Sequence, residues 1–450
     1  MSRRGRQLKR RRDVALAGTW FILGIMASAS LWLYRFLAAG LFPFAGPVLK
    51  LRQVISGKRR PRFRDRLGRN LPEMPGGGIW IQAVSVGEVE LARRLVAELR
   101  ERAPGLPLVL SSTTATGLDL ARRTLGQIVP VIPCPIDLPG PVNRVFEAVR
   151  PKLLVLVETE LWPEMLHQSR RRSIPVAVVN ARLSESSFAG YRRMAGPVRS
   201  LLEPLALVIA RTAADGDRFT GLGVAPDRVM VGGNVKYDLE ADRRPLEWRD
   251  DVRDLAGDRP IVVAGSTMEG EEAQVLDVLA GLAADGVAPF LILAPRHPER
   301  FDGVARLVTD RRLVLARRSS THPMPPDTDV FLIDTIGELA RAYQLANIAF
   351  IGGSLVPTGG HNPLEPAVWG VPVLSGPHVH NFREVYDEMT AAGGARLVAD
   401  GDDLRIAAAT WLDDPDLGAA AGAAGRAVVE KNRGATRRTV SALFELLEEV

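Results

Sequence analysis

The chain has one cysteine, Cys134, among its 450 residues. A single cysteine cannot form an intrachain disulfide, and this usage fits a reducing compartment. Histidine is scarce as well, and no group of cysteines and histidines has the spacing of a zinc site. The sequence therefore excludes a disulfide framework, predicts no metal and leaves the fold to its apolar cores, for which 46% hydrophobic content is ample.

Acidic residues are nearly absent from the first 70 positions, where Asp13 and Asp65 stand against 17 Lys and Arg, a balance of +15. The rest of the chain holds 41 basic and 50 acidic residues, so its balance is −9 although the total is +6. Basic residues interleaved with aromatics on a folded face, as nucleic acid binding requires, are missing. The N-terminal charge predicts a membrane surface as partner and no nucleic acid.

Two apolar stretches interrupt the basic N-terminus. Residues 14–34 carry no charge and, as a helix, would be about 31 Å long, enough for a hydrocarbon core of about 30 Å. Residues 36–49 are too short to span and contain two glycines and two prolines. Because basic residues flank both sides, the positive-inside rule favours an in-plane or re-entrant anchor with the body of the protein on the cytoplasmic face, and a true span is the alternative.

From Gly78 onwards, short apolar runs alternate with amphipathic helical stretches, which predicts an α/β fold with mostly parallel sheets. The pattern pauses in a polar segment and then restarts, so we predict twin Rossmann-like domains facing a cleft. The predicted domains are a basic tail with a membrane-anchoring helix (1–50), an acceptor domain (51–240), a linker (241–258) and a nucleotide-sugar domain (259–450).

A glycine-rich loop follows the predicted strand 348–351 and reads GGSLVPTGGHNPLEP. The backbone N–H groups of Gly352 and Gly353 could approach an anion closely. Asn362 could cap a helix starting at Pro363, whose positive end would suit a phosphate. Glu365 is a candidate acceptor for ribose hydroxyls. We favour a nucleotide site here, although such glycines can also serve only to turn the chain.

Carboxylates and cations follow other predicted strands, where ligands of parallel sheets collect. Glu88 and the pair Glu158 and Glu160 come directly after strands of the first half. Glu88 could deprotonate a sugar hydroxyl or simply cap its helix. Further on, the chain supplies donors suited to a dianionic ligand, namely Lys236, Arg296 and His297.

Six motifs together resemble the 3-deoxy-D-manno-octulosonic acid (Kdo) transferases of lipopolysaccharide synthesis. They are AVSVGEVELA (83–92), VETELWPE (157–164), NARLSESSFAGYRR (180–193), GNVKYD (233–238), PRHPER (295–300) and GGSLVPTGGHNPLEP (352–366). The likeness runs from about residue 30 to the C-terminus. The chain departs from the family pattern at Gln82, Ile136 and Met268, where the family usually has His, Tyr and His.

The resemblance implies a GT-B glycosyltransferase fold, CMP-Kdo as donor and a lipid A precursor, lipid IVA, as acceptor. By motif match, Glu88 corresponds to the general base, and Glu158 and Lys236 correspond to residues that stabilise the transition state. The segments implied in CMP binding contain Arg296, His297, Ile336, Gly337, Glu338, Gly352, Gly353, Asn362, Pro363, Leu364 and Glu365.

The expected reaction is an inverting displacement in which Glu88 takes the acceptor proton and CMP leaves, with no cofactor. Two alternatives stay open at this stage. One is another twin-Rossmann enzyme, either a membrane-associated nucleotide-sugar transferase or a nucleotide-sugar epimerase. The other is a membrane protein that binds nucleotide without catalysis.

Overall fold

The computed structural model describes residues 31, 34–36, 63–69, 71–320 and 323–449. The basic tail and most of the predicted anchor and of the second apolar stretch lie outside these residues. Among the helices that are described, none is both long enough and apolar enough to cross a membrane. The chain divides into unit 1, Met1–Lys236 with Gly434–Val450, and unit 2, Tyr237–Arg433.

Unit 1 contains a sheet of seven parallel strands in the order β3-β2-β1-β4-β5-β6-β7. Its strands are β1 (Ile79–Ala83), β2 (Leu108–Ser112), β3 (Val131–Pro133), β4 (Leu153–Val157), β5 (Val176–Ala181), β6 (Leu205–Ala210) and β7 (Val229–Val231). Its helices before residue 237 are α1 (Val86–Arg102), α2 (Ala115–Leu125), α3 (Pro139–Val149), α4 (Pro163–Arg171), α5 (Glu185–Arg193), α6 (Ala195–Leu202) and α7 (Ala213–Gly221).

The strands of unit 1 are apolar on both sides because helices cover both faces of the sheet. In β1, Ile79 and Ile81 belong to the core shared with α1, whereas Trp80 belongs to the core on the opposite face. The Trp80 indole N–H donates to the Ser111 hydroxyl of β2 (2.7 Å), so this large side chain is buried without an unsatisfied donor. Two separate apolar layers therefore hold the sheet between helices.

Unit 2 repeats this architecture with the parallel strand order β10-β11-β9-β8-β12-β13-β14. Its strands are β8 (Ile261–Thr267), β9 (Phe290–Pro295), β10 (Leu315–Arg317), β11 (Val330–Leu332), β12 (Ile348–Ile351), β13 (Val373–Ser375) and β14 (Ala395–Leu397). Its helices are α8 (Arg249–Ala256), α9 (Glu271–Ala284), α10 (Phe301–Asp310), α11 (Leu339–Ala342), α12 (Leu364–Ala367), α13 (Arg383–Ala391), α14 (Gly401–Asp413) and α15 (Pro415–Asn432).

The boundaries of the two units differ from those that the sequence predicts. The polar segment 241–258 is not a separate linker, because Trp248 and Val252 are buried in the core of unit 2. The last helix, α16 (Ala435–Glu448), belongs to unit 1, where Leu443 is fully buried in the core that includes α1. The chain thus passes from unit 1 to unit 2 and back, and the predicted cleft stays a prediction.

Candidate active site

In unit 1 the strand order reverses between β1 and β4, and ligands of open parallel sheets bind beyond the carboxyl ends of strands at such a point. The loop after β1 leads into α1, whose first turn carries Glu88. The loop after β4 carries Glu158 and Glu160. The topology therefore places the carboxylates predicted from sequence at the two strand ends that flank the switch point.

Glu88 is almost fully buried, with 6% of its surface exposed. Its carboxylate accepts hydrogen bonds from the Val84 N–H (2.6 Å) and the Ser85 hydroxyl (3.0 Å). Burial and the carboxylates of Glu158 and Glu160 raise the pKa of Glu88 to about 7, although the two hydrogen bonds lower it. A carboxylate offers about four acceptor positions. Glu88 is thus fixed in its loop and retains acceptor capacity for a further proton donor.

The loop after β4 is held in an uncommon backbone conformation. Glu158 has a positive φ of 60°, which is uncommon for a residue with a side chain. The Glu158 N–H donates to the Val179 carbonyl (2.9 Å), and the Thr159 hydroxyl donates to the Arg182 carbonyl, so the loop is tied to β5 and the residues after it. Burial and Glu158 raise the pKa of Glu160.

Lys236 lies in the 3₁₀ turn Val235–Tyr237, at the end of unit 1. The guanidinium of Arg94, on α1, donates to the carbonyls of Val235 (2.6 Å) and Lys236 (2.9 Å). The buried Asn180 of β5 accepts from the Val235 N–H (3.0 Å). The backbone of Lys236 is therefore fastened to the helix that carries Glu88 and to the central part of the sheet.

In unit 2 the strand order reverses between β8 and β12, and the glycine-rich loop follows β12. The sequence interpretation requires that the N–H groups of Gly352 and Gly353 are available to an anion. In the structure both groups already have acceptors within unit 2. Gly352 donates to the Gly265 carbonyl (2.9 Å), and Gly353 donates to the carboxylate of Glu271 (2.6 Å). These two glycines shape the loop. Position 353 favours glycine because its φ is 68°, which a residue with a Cβ atom rarely adopts.

Glu271 is the residue that fixes this loop. Its fully buried carboxylate accepts four backbone N–H groups: from Met268 (2.8 Å), Gly353 (2.6 Å), Ser354 (2.8 Å) and Leu355 (2.9 Å). One carboxylate thus joins the start of α9 to the segment after β12. Residue spacing does not indicate this role, because three of the four partners lie more than 80 positions from Glu271 in the sequence.

Polar side chains of unit 2 follow the end of β9. Arg296 and His297 are exposed directly after β9. Burial, followed by Arg296 and His297, lowers the pKa of His361 to about 4, so this ring is neutral at neutral pH. The buried Nε2 of His361 has no hydrogen-bond partner among the residues that the structure describes. Two positive or polar side chains beside an unsatisfied ring nitrogen form a surface suited to an anionic ligand.

The segment 362–365 follows His361. The Asn362 side chain accepts from the Leu364 N–H (3.2 Å) and donates to Glu365 (3.3 Å), but the helix begins at Leu364 with Pro363 as its N-cap residue, one position later than the sequence predicted. The helix itself, α12, has only four residues, which makes its dipole too small to carry phosphate binding. Pro363 and Leu364 are buried, so only their backbone could contact a ligand.

The segment 336–338 follows β11. The carboxylate of Glu338 accepts from the Thr335 hydroxyl, the Trp248 indole (3.1 Å) and the Arg318 guanidinium (3.2 Å). Ile336, in contrast, is 83% exposed, and Gly337 has a positive φ of 92°. Glu338 therefore stabilises unit 2, whereas Ile336 and Gly337 form the accessible part of this segment.

The departures from the family pattern occupy ordinary places in the fold. Gln82 is fully buried and donates to the Thr113 hydroxyl (3.1 Å). Ile136 donates its N–H to the Arg66 carbonyl (2.9 Å), and Met268 donates its N–H to Glu271. Within the described ranges, no three His, Cys, Asp or Glu residues are grouped to hold a metal ion.

Comparisons with known proteins agree with this architecture. Residues 61–239 match the family model described as 3-Deoxy-D-manno-octulosonic-acid transferase (kdotransferase). A 3-deoxy-D-manno-octulosonic acid transferase of Haemophilus influenzae is 36% identical over 92% of this chain and 99% of its own length. The enzyme of the same name from Bordetella pertussis is 35% identical over 85% of this chain and 90% of its own length.

A solved structure shows the same fold at low identity. The UDP-GlcNAc 2-epimerase of Neisseria meningitidis aligns with 82% of this chain and 100% of its own, with a TM-score of 0.53 and 14% identity. This likeness establishes two Rossmann-like units of the GT-B kind and nothing about the reaction.

The fold is shared with other nucleotide-sugar enzymes, and the family matches identify this chain as a glycosyltransferase. The chain belongs to the 3-deoxy-D-manno-octulosonic acid (Kdo) transferase family and is a Kdo transferase, as the six motifs implied.

Proposed function

We propose that this enzyme transfers Kdo from CMP-Kdo to a hydroxyl of a lipid A precursor, lipid IVA, with Glu88 as general base. The observation that carries the proposal is the environment of Glu88: a buried carboxylate beyond the end of β1, with a pKa raised to about 7. A general base works best when its pKa is close to the working pH. An ordinary exposed glutamate would be a much weaker base.

The reaction is a direct displacement with inversion at the anomeric carbon. Glu88 accepts the proton of an acceptor hydroxyl while that oxygen forms a bond to the anomeric carbon of Kdo. The bond from this carbon to the phosphate oxygen breaks, and CMP leaves with the bonding electrons. Positive charge develops on the sugar in such a transition state. We assign to Glu158, at the end of β4, the role of stabilising that charge.

Unit 2 is assigned to the donor nucleotide. Arg296, His297 and the neutral His361 supply donors for the phosphate and carboxylate of CMP-Kdo, and Lys236 of unit 1 offsets charge on the departing CMP. Ile336 presents an exposed apolar side chain, and Gly337 an exposed backbone, to the cytosine base of CMP-Kdo. Glu365 remains the candidate partner of the ribose. With these donors, the displacement needs no metal cofactor.

The acceptor is proposed to come from the inner membrane, on its cytoplasmic side. The support is the basic, apolar N-terminus, which fits a membrane-anchoring segment better than a soluble tail. An in-plane or re-entrant anchor is favoured because basic residues flank the apolar stretch on both sides.

Mass spectrometry of lipid products tests the proposal. Incubation of the full-length enzyme with CMP-Kdo and lipid IVA should add whole Kdo residues to the lipid and release one CMP for each. Competition by CMP should exceed competition by UDP at equal concentration. Transfer from a UDP-sugar, or release of CMP without a lipid product, would contradict the proposed donor or acceptor.

A further inference from the structure

Two residues at the end of the predicted membrane segment are bound to unit 1. The Tyr34 hydroxyl donates to Asp137 (2.8 Å). The Arg35 guanidinium donates to both oxygens of Glu164, from Nε (2.8 Å) and from Nη2 (3.1 Å). We name these two contacts, Tyr34 with Asp137 and Arg35 with Glu164, the N-terminal clamp. The next residue, Phe36, is 76% exposed.

The clamp differs from an ordinary surface ion pair because its acidic partners are buried. The Glu164 side chain is 0% exposed and that of Arg35 is 18% exposed. Asp137 is 6% exposed. Exposed pairs contribute little to stability, whereas a buried carboxylate that loses its partner is strongly disfavoured. The two-pronged contact of Arg35 also fixes its direction. Tyr34 and Arg35 therefore provide hydrogen bonds to two carboxylates that are buried in unit 1.

The clamp acts on the start of α4. Trp162, which precedes this helix, offers no capping side chain, and Pro163 has no N–H group. The Asp137 carboxylate fills this gap by accepting the N–H groups of Glu164 (3.0 Å) and Met165 (3.0 Å). The two carboxylates held by the clamp thus fix the first turn of α4.

The position of α4 matters because the helix begins directly after the acidic loop. Only Leu161 and Trp162 separate Glu160 from Pro163. The clamp therefore connects residues 34–35 through α4 to the acidic loop, and the loop keeps its own bonds to Val179 and Arg182.

The chain is attached a second time at the same place. The Arg66 guanidinium donates to the Cys134 carbonyl (3.0 Å), and the Arg66 carbonyl accepts from the Ile136 N–H (2.9 Å). Both attachments, at residues 34–35 and at residue 66, involve the segment 134–137 of unit 1. Residues 34–35 and residue 66 are therefore attached to the same segment of unit 1.

We propose that the N-terminal clamp positions the acceptor side of the active site relative to the membrane. It joins the chain that emerges from the anchor to α4, and so holds the Glu158 and Glu160 loop at a fixed distance from the bilayer in which the acceptor lies. Holding residues 34–35 on unit 1 shortens the covalent path from the predicted anchor to the site, which raises the effective concentration of membrane-bound acceptor there. Arg35 and Tyr34 are positioning residues in this scheme, which rests on the proposed lipid acceptor.

The test compares Arg35→Ala with wild type, both full length, on vesicles of phosphatidylethanolamine and phosphatidylglycerol that contain lipid IVA. The KM for the embedded acceptor should rise about tenfold or more, because the tether is loosened. The kcat and the KM for CMP-Kdo should stay within about twofold, because neither chemistry nor donor site is altered. The charge exchange Arg35→Glu with Glu164→Arg should recover most of the lost acceptor affinity.

A matched control lies on the same helix. Arg170 pairs with Glu203 on the surface, with side chains 53% and 46% exposed, so Arg170→Ala should leave all three constants within about twofold. Tyr34→Phe removes only the hydroxyl, and Arg35→Lys keeps the charge but removes the two-pronged guanidinium contact. These two variants provide the test if Arg35→Ala fails to fold. Each should raise the acceptor KM by a smaller factor.

The outcomes separate the two proposals. A wild-type enzyme that forms no Kdo-lipid product contradicts the proposed function, before any variant is measured. If wild type is active but folded clamp variants keep the wild-type acceptor KM, the clamp proposal is overturned alone. It is overturned as well if these variants lose kcat while the KM for the acceptor stays unchanged, since that pattern indicates general damage to the enzyme.

Discussion

The position of Glu88 suits both the capping role and the proposed role of general base, which a sequence pattern leaves as alternatives. Its position in the first turn of α1 and its bonds to Val84 and Ser85 are those of a capping residue. Its burial and the nearby Glu158 and Glu160 give it the raised pKa of a general base. The sequence could predict that these carboxylates follow strands. It could not predict their mutual influence, which depends on β1 and β4 being neighbours in the sheet.

The pH dependence of the rate should report this mutual influence. The base acts as a carboxylate, so kcat/KM should fall as pH drops below about 7. Glu158→Gln removes a neighbouring negative charge, which lowers the pKa of Glu88 and moves this limb to lower pH. The exposed Glu90→Gln on the same helix is the control and should leave the limb in place. A limb that does not move in Glu158→Gln would show that the two carboxylates are not coupled.

The same shift affects stability in the opposite direction. Because the pKa of the Glu88 carboxyl is higher in the folded state than in the unfolded chain, folding favours its protonated form. This group's contribution to the free energy of unfolding is therefore largest below the ordinary carboxyl pKa and is lost as pH rises to about 7. A base suited to neutral pH thus carries a cost in stability.

At the scale of elements, the central strands could be predicted and the edges could not. Apolar runs at residues 153–157, 205–210 and 348–351 predict strands, and they match β4, β6 and β12 because buried strands are almost wholly apolar. The missed strands are β7, β10 and β14, each three residues long and partly exposed. A short edge strand has no long apolar run to mark it, and its pairing depends on a neighbour distant in sequence.

The loop after β12 shows the same difference for a site. Its glycines are visible in the sequence, but the partner of its N–H groups is Glu271, on a helix that follows β8. A nucleotide loop was predicted, and the structure adds the carboxylate that gives the loop its shape.

Glu271→Gln should destabilise unit 2 and weaken nucleotide binding together. The amide supplies one oxygen in place of two, so two of the four N–H groups lose their acceptor, at a cost of about 3 kcal/mol. Urea unfolding and CMP titration measure the two effects. The adjacent exposed Glu269→Gln is the control and should change neither. Normal stability and CMP affinity in Glu271→Gln would refute the assigned role of this carboxylate.

At the scale of the whole molecule, the order of the chain does not follow the order of the units. Helix α16 comes after unit 2 in sequence but packs in unit 1, with Leu443 in the same core as Leu95 of α1. The sequence assigned the entire C-terminus to the second domain, because an amphipathic helix carries no mark of the sheet it covers.

Leu443→Ala should therefore weaken unit 1 although the residue lies near the C-terminus. The loss of a buried leucine costs about 2–5 kcal/mol. Hydrogen exchange should show reduced protection in β1 to β6 and unchanged protection in β8 to β13. Leu417→Ala, at a position 45% exposed on α15, is the control and should alter neither unit. Reduced protection confined to unit 2 would contradict the assignment of α16.

The central claim is that Glu88 is the base of Kdo transfer, and the variant Glu88→Gln tests this role directly. The amide keeps the shape of the side chain and cannot accept the acceptor proton, so kcat for Kdo transfer from CMP-Kdo to lipid IVA should fall by about 10²–10⁴-fold. CMP affinity should remain that of wild type, because the residues assigned to the nucleotide belong to unit 2. Transfer by Glu88→Gln at the wild-type rate would contradict the account.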